Sequence, residues 1–216
     1  KTNHLESYTH QSLNAALLAE MTGINVIADF RSRDMASGGQ GAPLVPAFHR
    51  EQFYSPDENR AVLNIGGIAN LTILPRSGDV RGFDCGPGNL LLDSWIQINQ
   101  GQDFDQDGRW ASTGKPYPQL LERMQKDSFL TSPPPKSTGR DYFNLNWIQE
   151  HVKGFSIAPE DVQASLLQLT IDGILNSLDA YASETKTLIA CGGGVKNIAL
   201  MELLKIQARN KLPMLK

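Results

Sequence analysis

Five short stretches of this sequence combine reactive side chains with turns that could expose them. In FDCGPGN (83–89), Asp84 is flanked by glycines that leave room for a substrate and by a proline that fixes the turn. An unperturbed aspartate titrates near about 4, so at neutral pH it can take a proton from a water or a sugar hydroxyl held against it. A turn-capping aspartate is the alternative reading. LNIGGIAN (63–70) sets Gly66 and Gly67 between two β-prone runs. There bare backbone N–H groups can approach an anion and Asn70 can add a side-chain donor, although a ligand-free hairpin would use the same glycines. ACGGGVKN (190–197) runs strand, glycine turn, helix, an order that presents helix N–H groups and the positive end of the helix dipole to a nucleotide. A close helix-to-sheet crossing is its other explanation. KSTGR (136–140) puts Lys136 and Arg140 on a proline-stiffened loop, as phosphate or carboxylate contacts or as solvated cations. In DFRSRD (29–34), Arg31 and Arg33 could meet an anion or pair with Asp29 and Asp34.

Several other chemistries lack their residues. There is no Walker A sequence and no six-residue dinucleotide fingerprint. His4, His10, His49 and His151 have no metal-site spacing, and no Ser, His, Asp arrangement stands out. Asp103, Asp105 and Asp107 alternate like the start of a calcium loop, but no glutamate closes it. No metal ligand set is expected.

The elements that must position these residues follow from periodicity. Ser12 with Leu13, Ala16, Leu17 and Met21 predicts a helix ended by Gly23, and NVIADF (25–30) a buried strand. Arg31 to Pro46, with three glycines and two prolines, reads as a loop. RAVLNI (60–65), Gly66-Gly67 and IANLTIL (68–74) predict a hairpin, and VRGF (80–83) a third strand delivering Asp84 to its end. CGPGN would then break the sheet, with Asn89 capping a helix that carries Leu91, Leu92, Trp95 and Ile96. Three consecutive strands imply an antiparallel or mixed sheet. Tyr117 to Lys126 predicts a short helix, and 132–144 a stiff basic loop. A long helix from Pro159 carries Val162, Leu166, Leu169, Gly173, Ile174 and Leu178. TLIAC (187–191) is a buried strand, and a final helix turns Leu200, Leu203 and Leu204 inward.

Composition bounds the class. Apolar residues make up 40% and charged residues 20% of 216, an ordinary globular balance. A net charge of −3 leaves no basic stripe for nucleic-acid phosphates. The apolar runs are too short to span a membrane. Cys85 and Cys191 form no disulfide-like framework, which suits a reducing cytoplasm. The opening KTNHLES is neither a targeting segment nor an initiator methionine, so a piece of the protein is expected upstream.

Six ordered blocks, GGQGAPLVPAFH (38–49), LNIGGIANLT (63–72), GFDCGPGNLLLDSW (82–95), PPPKSTGR (133–140), EDVQASLLQLT (160–170) and CGGGVKN (191–197), resemble anhydro-N-acetylmuramic acid kinase. The resemblance implies an α/β actin-like ATPase (ribonuclease H-like) fold with a mixed sheet and flanking helices, incomplete in this chain. Residues 1–58 would be the C-terminal part of the first domain, and 59–216 most of the second. Gly66, Gly67 and Asn70 would serve the second phosphate loop, and Gly192, Gly193, Gly194 and Asn197 the adenosine site. Gly86, Gly88, Asn89 and Gln40 would contact the sugar, while Asp84 deprotonates the water that opens the 1,6-anhydro ring. ATP with Mg2+ would supply the phosphoryl group. The partners implied are an amino sugar and ATP, with a homodimer as the assembly and cell-wall recycling in the cytoplasm as the setting. A nucleotide-binding structural module of the same superfamily, without sugar chemistry, is the alternative.

Two departures limit the site. No first phosphate loop of the kind GTSLDG occurs, and family members continue past the point where this chain stops at LPMLK, so the fragment is expected to be inactive alone. Cys85 stands where the family more commonly has threonine.

Overall fold

A computed structural model describes residues 8–208 and the strand at 214–215; KTNHLES, with His4, lies outside the described residues. The chain divides into two compact units, Lys1–Leu44 and Val45–Lys216.

In the first unit α1 (Ala15–Thr22) ends at Gly23, whose φ of 67° places it in the left-handed region, as the sequence predicts. Its N-cap is Asn14 rather than Ser12: the Asn14 side chain accepts the Leu17 N–H at 2.9 Å. The strand expected at 25–30 is not formed. Ile27 is 82% exposed, and Phe30 opens a second helix, α2 (Phe30–Ala36). An apolar β-prone run becomes a strand only where a neighbour satisfies its backbone groups, and no other strand is formed in this unit's described residues. The loop expected from Arg31 is correspondingly shorter, because α2 takes in RSRDMA. Its remaining turn is fastened to α2 at Gly41, whose N–H donates to Asp34 Oδ2 at 2.8 Å and whose carbonyl accepts from Arg31 Nη1 at 2.6 Å.

The second unit begins with α3 (Pro46–Phe53) and is built on a five-stranded sheet: β1 (Arg60–Ile65), β2 (Ile68–Leu74), β3 (Arg81–Pro87), β4 (Thr187–Cys191) and β5 (Met214–Leu215). The order is β3-β2-β1-β4-β5, and β2 alone runs against the rest. That order and polarity belong to the ribonuclease H-like, actin-type ATPase domain implied by the resemblance. Between β3 and β4 come α4 (Asn89–Gln100), α5 (Pro118–Gln125), α6 (Ser128–Thr131), α7 (Leu145–Val152) and α8 (Pro159–Tyr181); α9 (Ile198–Ala208) precedes β5.

Pro159 occupies the first turn of α8, where its missing N–H costs nothing, and Glu160 and Asp161 beside it oppose the helix dipole. Leu166, Leu169 and Ile174 of α8 share one buried cluster with Leu63, Leu71 and Phe83 of the sheet. Gly173 lets α8 approach the β3 backbone: a Cβ there would stand 3.4 Å from the Cys85 carbonyl oxygen. In α9 Leu200 and Leu204 are fully buried, while Leu203 packs at the cluster's edge.

Two sequence expectations change at β3. The strand does not stop before CGPGN but continues through Pro87. It carries a register shift in which Ala69 faces Gly86 while Asn70 faces Asp84, leaving Cys85 as the extra residue of a bulge. Asn89 does not cap α4. Gly88 holds the cap position and Asn89 is the first helical residue. The α4 N–H groups find partners in the hairpin instead, with Asn89 N–H on the Gly66 carbonyl at 2.8 Å and Gly88 and Leu90 N–H on the Gly67 carbonyl at 2.9 and 3.1 Å.

Candidate active site

Asp84 lies on β3, the edge strand of the sheet, and is 4% exposed. The 132–140 loop covers that edge. The Asp84 N–H donates to the Lys136 carbonyl at 3.1 Å. In return Asp84 Oδ2 accepts from Ser137 Oγ at 3.1 Å and from the Thr138 N–H at 2.9 Å. Two donors on one oxygen fix the plane of the carboxylate, as a base aimed at one position requires.

Strand register places Asp84 in a polar row. Asp84 faces Asn70, Asn70 faces Asn64, and Asn64 faces Cys191 at the mouth of the glycine turn. Paired residues share a face of the sheet, so this row runs from the carboxylate to Gly192–Gly194 along one side. The same side carries Thr72, whose hydroxyl meets Nδ1 of the buried His49 on α3 at 2.9 Å.

The hairpin glycines lie just beyond the Asn64–Asn70 pair, at the middle of the row. Because the Gly66 carbonyl is turned onto α4, planarity of the trans peptide turns the Gly67 N–H the opposite way, away from α4. Gly88 is required by close approach, since a Cβ on it would collide with the Gly66 carbonyl oxygen. The geometry therefore consumes the amino end of α4 and leaves the Gly67 N–H on the opposite side of the turn.

In the third motif the three glycines have different reasons. Gly192 has φ 89° and abuts Asn64 and the Ile65 carbonyl, and a Cβ on Gly194 would enter the Ile65 side chain. Gly193 meets only Asn89 Nδ2, 3.9 Å from the position of its Cβ, and opens onto a cleft of about 470 Å3. The cleft is lined also by Asn89, Asp93, Phe104, Lys196 and Asn197. A 3-10 turn (Gly193–Lys196) intervenes before α9, and Asn197 Oδ1 caps that helix by accepting the Leu200 N–H at 3.0 Å. Helix N–H groups thus do not follow directly on the glycines, as the sequence suggested.

Asp84, Asn70, Asn89, Gly66, Gly67, Gly86, Gly88, Gly192–Gly194 and Asn197 all belong to the second unit. Gln40 is exposed in the first. Lys136 is not a solvated cation. It is 9% exposed, its Nζ donates to the Phe129 and Leu130 carbonyls at 2.9 and 3.3 Å, and burial lowers its pKa. Arg140 remains exposed. Sequence reasoning passed over the hydroxyl residues of KSTGR in favour of its cations. It also passed over Asp93, a cleft residue whose carboxyl is pushed up to about 6 by burial, with Arg140 opposing and Asp105 reinforcing the shift. Asp105 is a structural clip, accepting the Trp110 and Ala111 N–H groups at 2.9 Å each.

A sequence model of the family described as anhydro-N-acetylmuramic acid kinase matches residues 1–212. Curated proteins of that name share 54% identity in Ralstonia nicotianae, 50% in Nitrosospira multiformis and 52% in Pseudomonas syringae pv. tomato. These alignments cover 93, 92 and 91% of this chain and 54% of each relative, so the chain spans about half the length of the curated relatives it matches. A solved structure, the activator of the 2-hydroxyisocaproyl-CoA dehydratase from Clostridium difficile with bound ADPNP, aligns at 13% identity with a TM-score of 0.43. It covers 76% of this chain and 56% of that one, a similarity too low to assign a fold from. With residues 1–212 matched by the family model and about half of the aligned residues identical, the chain belongs to the anhydro-N-acetylmuramic acid kinase family.

Proposed function

We propose that this chain is the base-bearing portion of a kinase that opens 1,6-anhydro-N-acetylmuramic acid with water and phosphorylates its 6-oxygen from ATP, a step of cell-wall sugar recycling in the cytoplasm. The observation that carries the proposal is the clamped Asp84 carboxylate, standing in one polar row with both glycine turns. Asp84 takes a proton from water as the water oxygen bonds to the anomeric carbon. The bond from that carbon to the 6-oxygen breaks, its electron pair stays on the 6-oxygen, and that oxygen displaces ADP from the γ-phosphorus. The carboxyl then returns its proton to solvent.

The Gly67 N–H and Asn70 face the phosphates in this reading. Gly192, Gly193, Gly194 and Asn197 border the adenosine, for which a cleft of about 470 Å3 at Gly193 has the size of a small-ligand site. Gly86, Gly88 and Asn89 are the proposed sugar contacts of the second unit. The described residues contain no cluster of three carboxylate, imidazole or thiol ligands, so they offer no cage for a resident cation. Magnesium enters only as carried on the ATP phosphates, where it would offset charge on the group in transfer. Residues 1–58 are assigned to the end of a first domain and 59–216 to most of a second. The free thiols of Cys85 and Cys191 support a reducing compartment, and none of the described helices is long and apolar enough to cross a membrane. The proposed assembly is a homodimer, which light scattering on the full-length gene product would measure.

The deciding assay is ADP release by the full-length gene product with ATP and a panel of sugars. Turnover with 1,6-anhydro-N-acetylmuramic acid, and none with unmodified N-acetylmuramic acid or hexoses, is expected. Nucleotide binding without any sugar dependence would favour a structural module of the same fold.

A further inference from the structure

Three buried side-chain polar atoms have no hydrogen-bond partner among the described residues: Asn70 Oδ1, Thr138 Oγ1 and Gln163 Oε1. Buried polar atoms are nearly always partnered, so each calls for an explanation. Gln163, on α8, donates its amide nitrogen to Asp105 at 3.4 Å. The other two flank Asp84. Asn70 is its partner across the β2–β3 register, and Thr138 donates its backbone N–H to Oδ2 at 2.9 Å.

We infer that the Thr138 hydroxyl is a catalytic contact that holds the attacking water against Asp84. The inference rests on the ring-opening reaction proposed above. A water about to attack carbon must keep a lone pair directed at that carbon, and acceptors for both of its hydrogens hold it in that orientation. Asp84 accepts one and takes it as a proton. The second stays on the oxygen throughout, becomes the hydrogen of the anomeric hydroxyl, and needs an acceptor that does not compete for the proton. A hydroxyl oxygen has the lone pairs for this and is far too weak a base to remove it. Thr138 Oγ1 is three bonds from the nitrogen that donates to Asp84 Oδ2, hence within roughly 4 Å of that nitrogen, on the residue that already touches the carboxylate. One residue thereby fixes the carboxylate through its backbone and the water through its side chain. Ser137, whose hydroxyl is engaged with Oδ2, is a positioning residue.

The test uses the full-length gene product with ATP and 1,6-anhydro-N-acetylmuramic acid. Thr138→Val keeps the shape and the backbone N–H while removing the hydroxyl; Thr138→Ser keeps the hydroxyl. Thr138→Val is expected to lower kcat about 100-fold, the scale of a misplaced reactant, with KM for both substrates within about threefold. Thr138→Ser is expected to stay within about fivefold of the wild type. Where Thr138→Val does not fold, Thr138→Ala against Thr138→Ser gives the same comparison. A kcat within threefold of wild type in Thr138→Val overturns the assignment. So does an equal loss in Thr138→Ser, and so does a rise in sugar KM at unchanged kcat, which would make the hydroxyl a ground-state sugar contact. A wild-type protein that never releases ADP with the anhydro sugar would instead refute the proposed function itself, so the two failures are distinguishable.

Discussion

The backbone N–H of Thr138 reaches Asp84 Oδ2 at 2.9 Å across 54 residues of sequence. A second bond in the opposite sense, from the Asp84 N–H to the Lys136 carbonyl at 3.1 Å, makes the loop an extension of the sheet edge. Lys136 anchors that loop through the Phe129 and Leu130 carbonyls and stands 4.7 Å over the Phe129 ring. GFDCGPGN therefore holds only half of the Asp84 arrangement; the other half is KSTGR.

Gly193 and Gly194 should respond differently to alanine. Gly194→Ala drives a methyl into Ile65 and is expected to cost about 1–3 kcal/mol by overpacking, read as a lower denaturant midpoint. Gly193→Ala makes only an ordinary contact with Asn89 and should change stability by no more than about 0.5 kcal/mol, yet it narrows the cleft and should weaken nucleotide binding. Isothermal titration with an ATP analogue separates the two; equal affinity in Gly193→Ala and wild type would remove that cleft from the nucleotide site.

Asp93 makes stability depend on pH. Its folded-state pKa of about 6 lies above the ordinary value of 3.8, chiefly because burial disfavours the charged form. The folded protein then holds the proton more tightly than the unfolded chain, so this contribution is full below pH 3.8 and is lost as pH rises through 6. Asp93→Asn should raise the melting temperature at pH 7.5 and flatten its slope between pH 4 and 6. An unchanged slope would show that Asp93 does not carry the effect.

Cys85 should be inert in the native protein. Burial pushes its thiol up to about 12, outweighing the Ser177 hydrogen bond that acts in the other direction. Alkylation at pH 8 should spare Cys85 until denaturant is added, as mass spectrometry of the peptides would show. Cys85→Thr should change stability by less than about 1.5 kcal/mol, because the new hydroxyl can use Ser177.

Much of the second unit was legible because its signals are local. The Gly66-Gly67 hairpin, the α8 face from Val162 to Leu178, and the TLIAC strand each declare themselves within about twenty residues. NVIADF misled because its apolar content signals a strand without revealing that no partner strand adjoins it among the described residues. RSRDMA was hidden by the glycines and prolines that follow it. The bulge at Cys85 leaves no compositional trace, since one extra residue in a strand alters only register. The Ser137 and Thr138 contacts are invisible for a related reason: loop hydroxyls are common, and only the folded register brings these two to Asp84.

The most direct test of the central claim is Asp84→Asn in the full-length gene product, with anhydro-sugar-dependent ADP release, nucleotide affinity and melting temperature measured together. The asparagine keeps the shape and an oxygen for the Ser137 and Thr138 donors but cannot take the proton. The account predicts a loss of turnover of about 10²–10⁴-fold, with nucleotide affinity and melting temperature near wild type. Turnover within about threefold of wild type would contradict it.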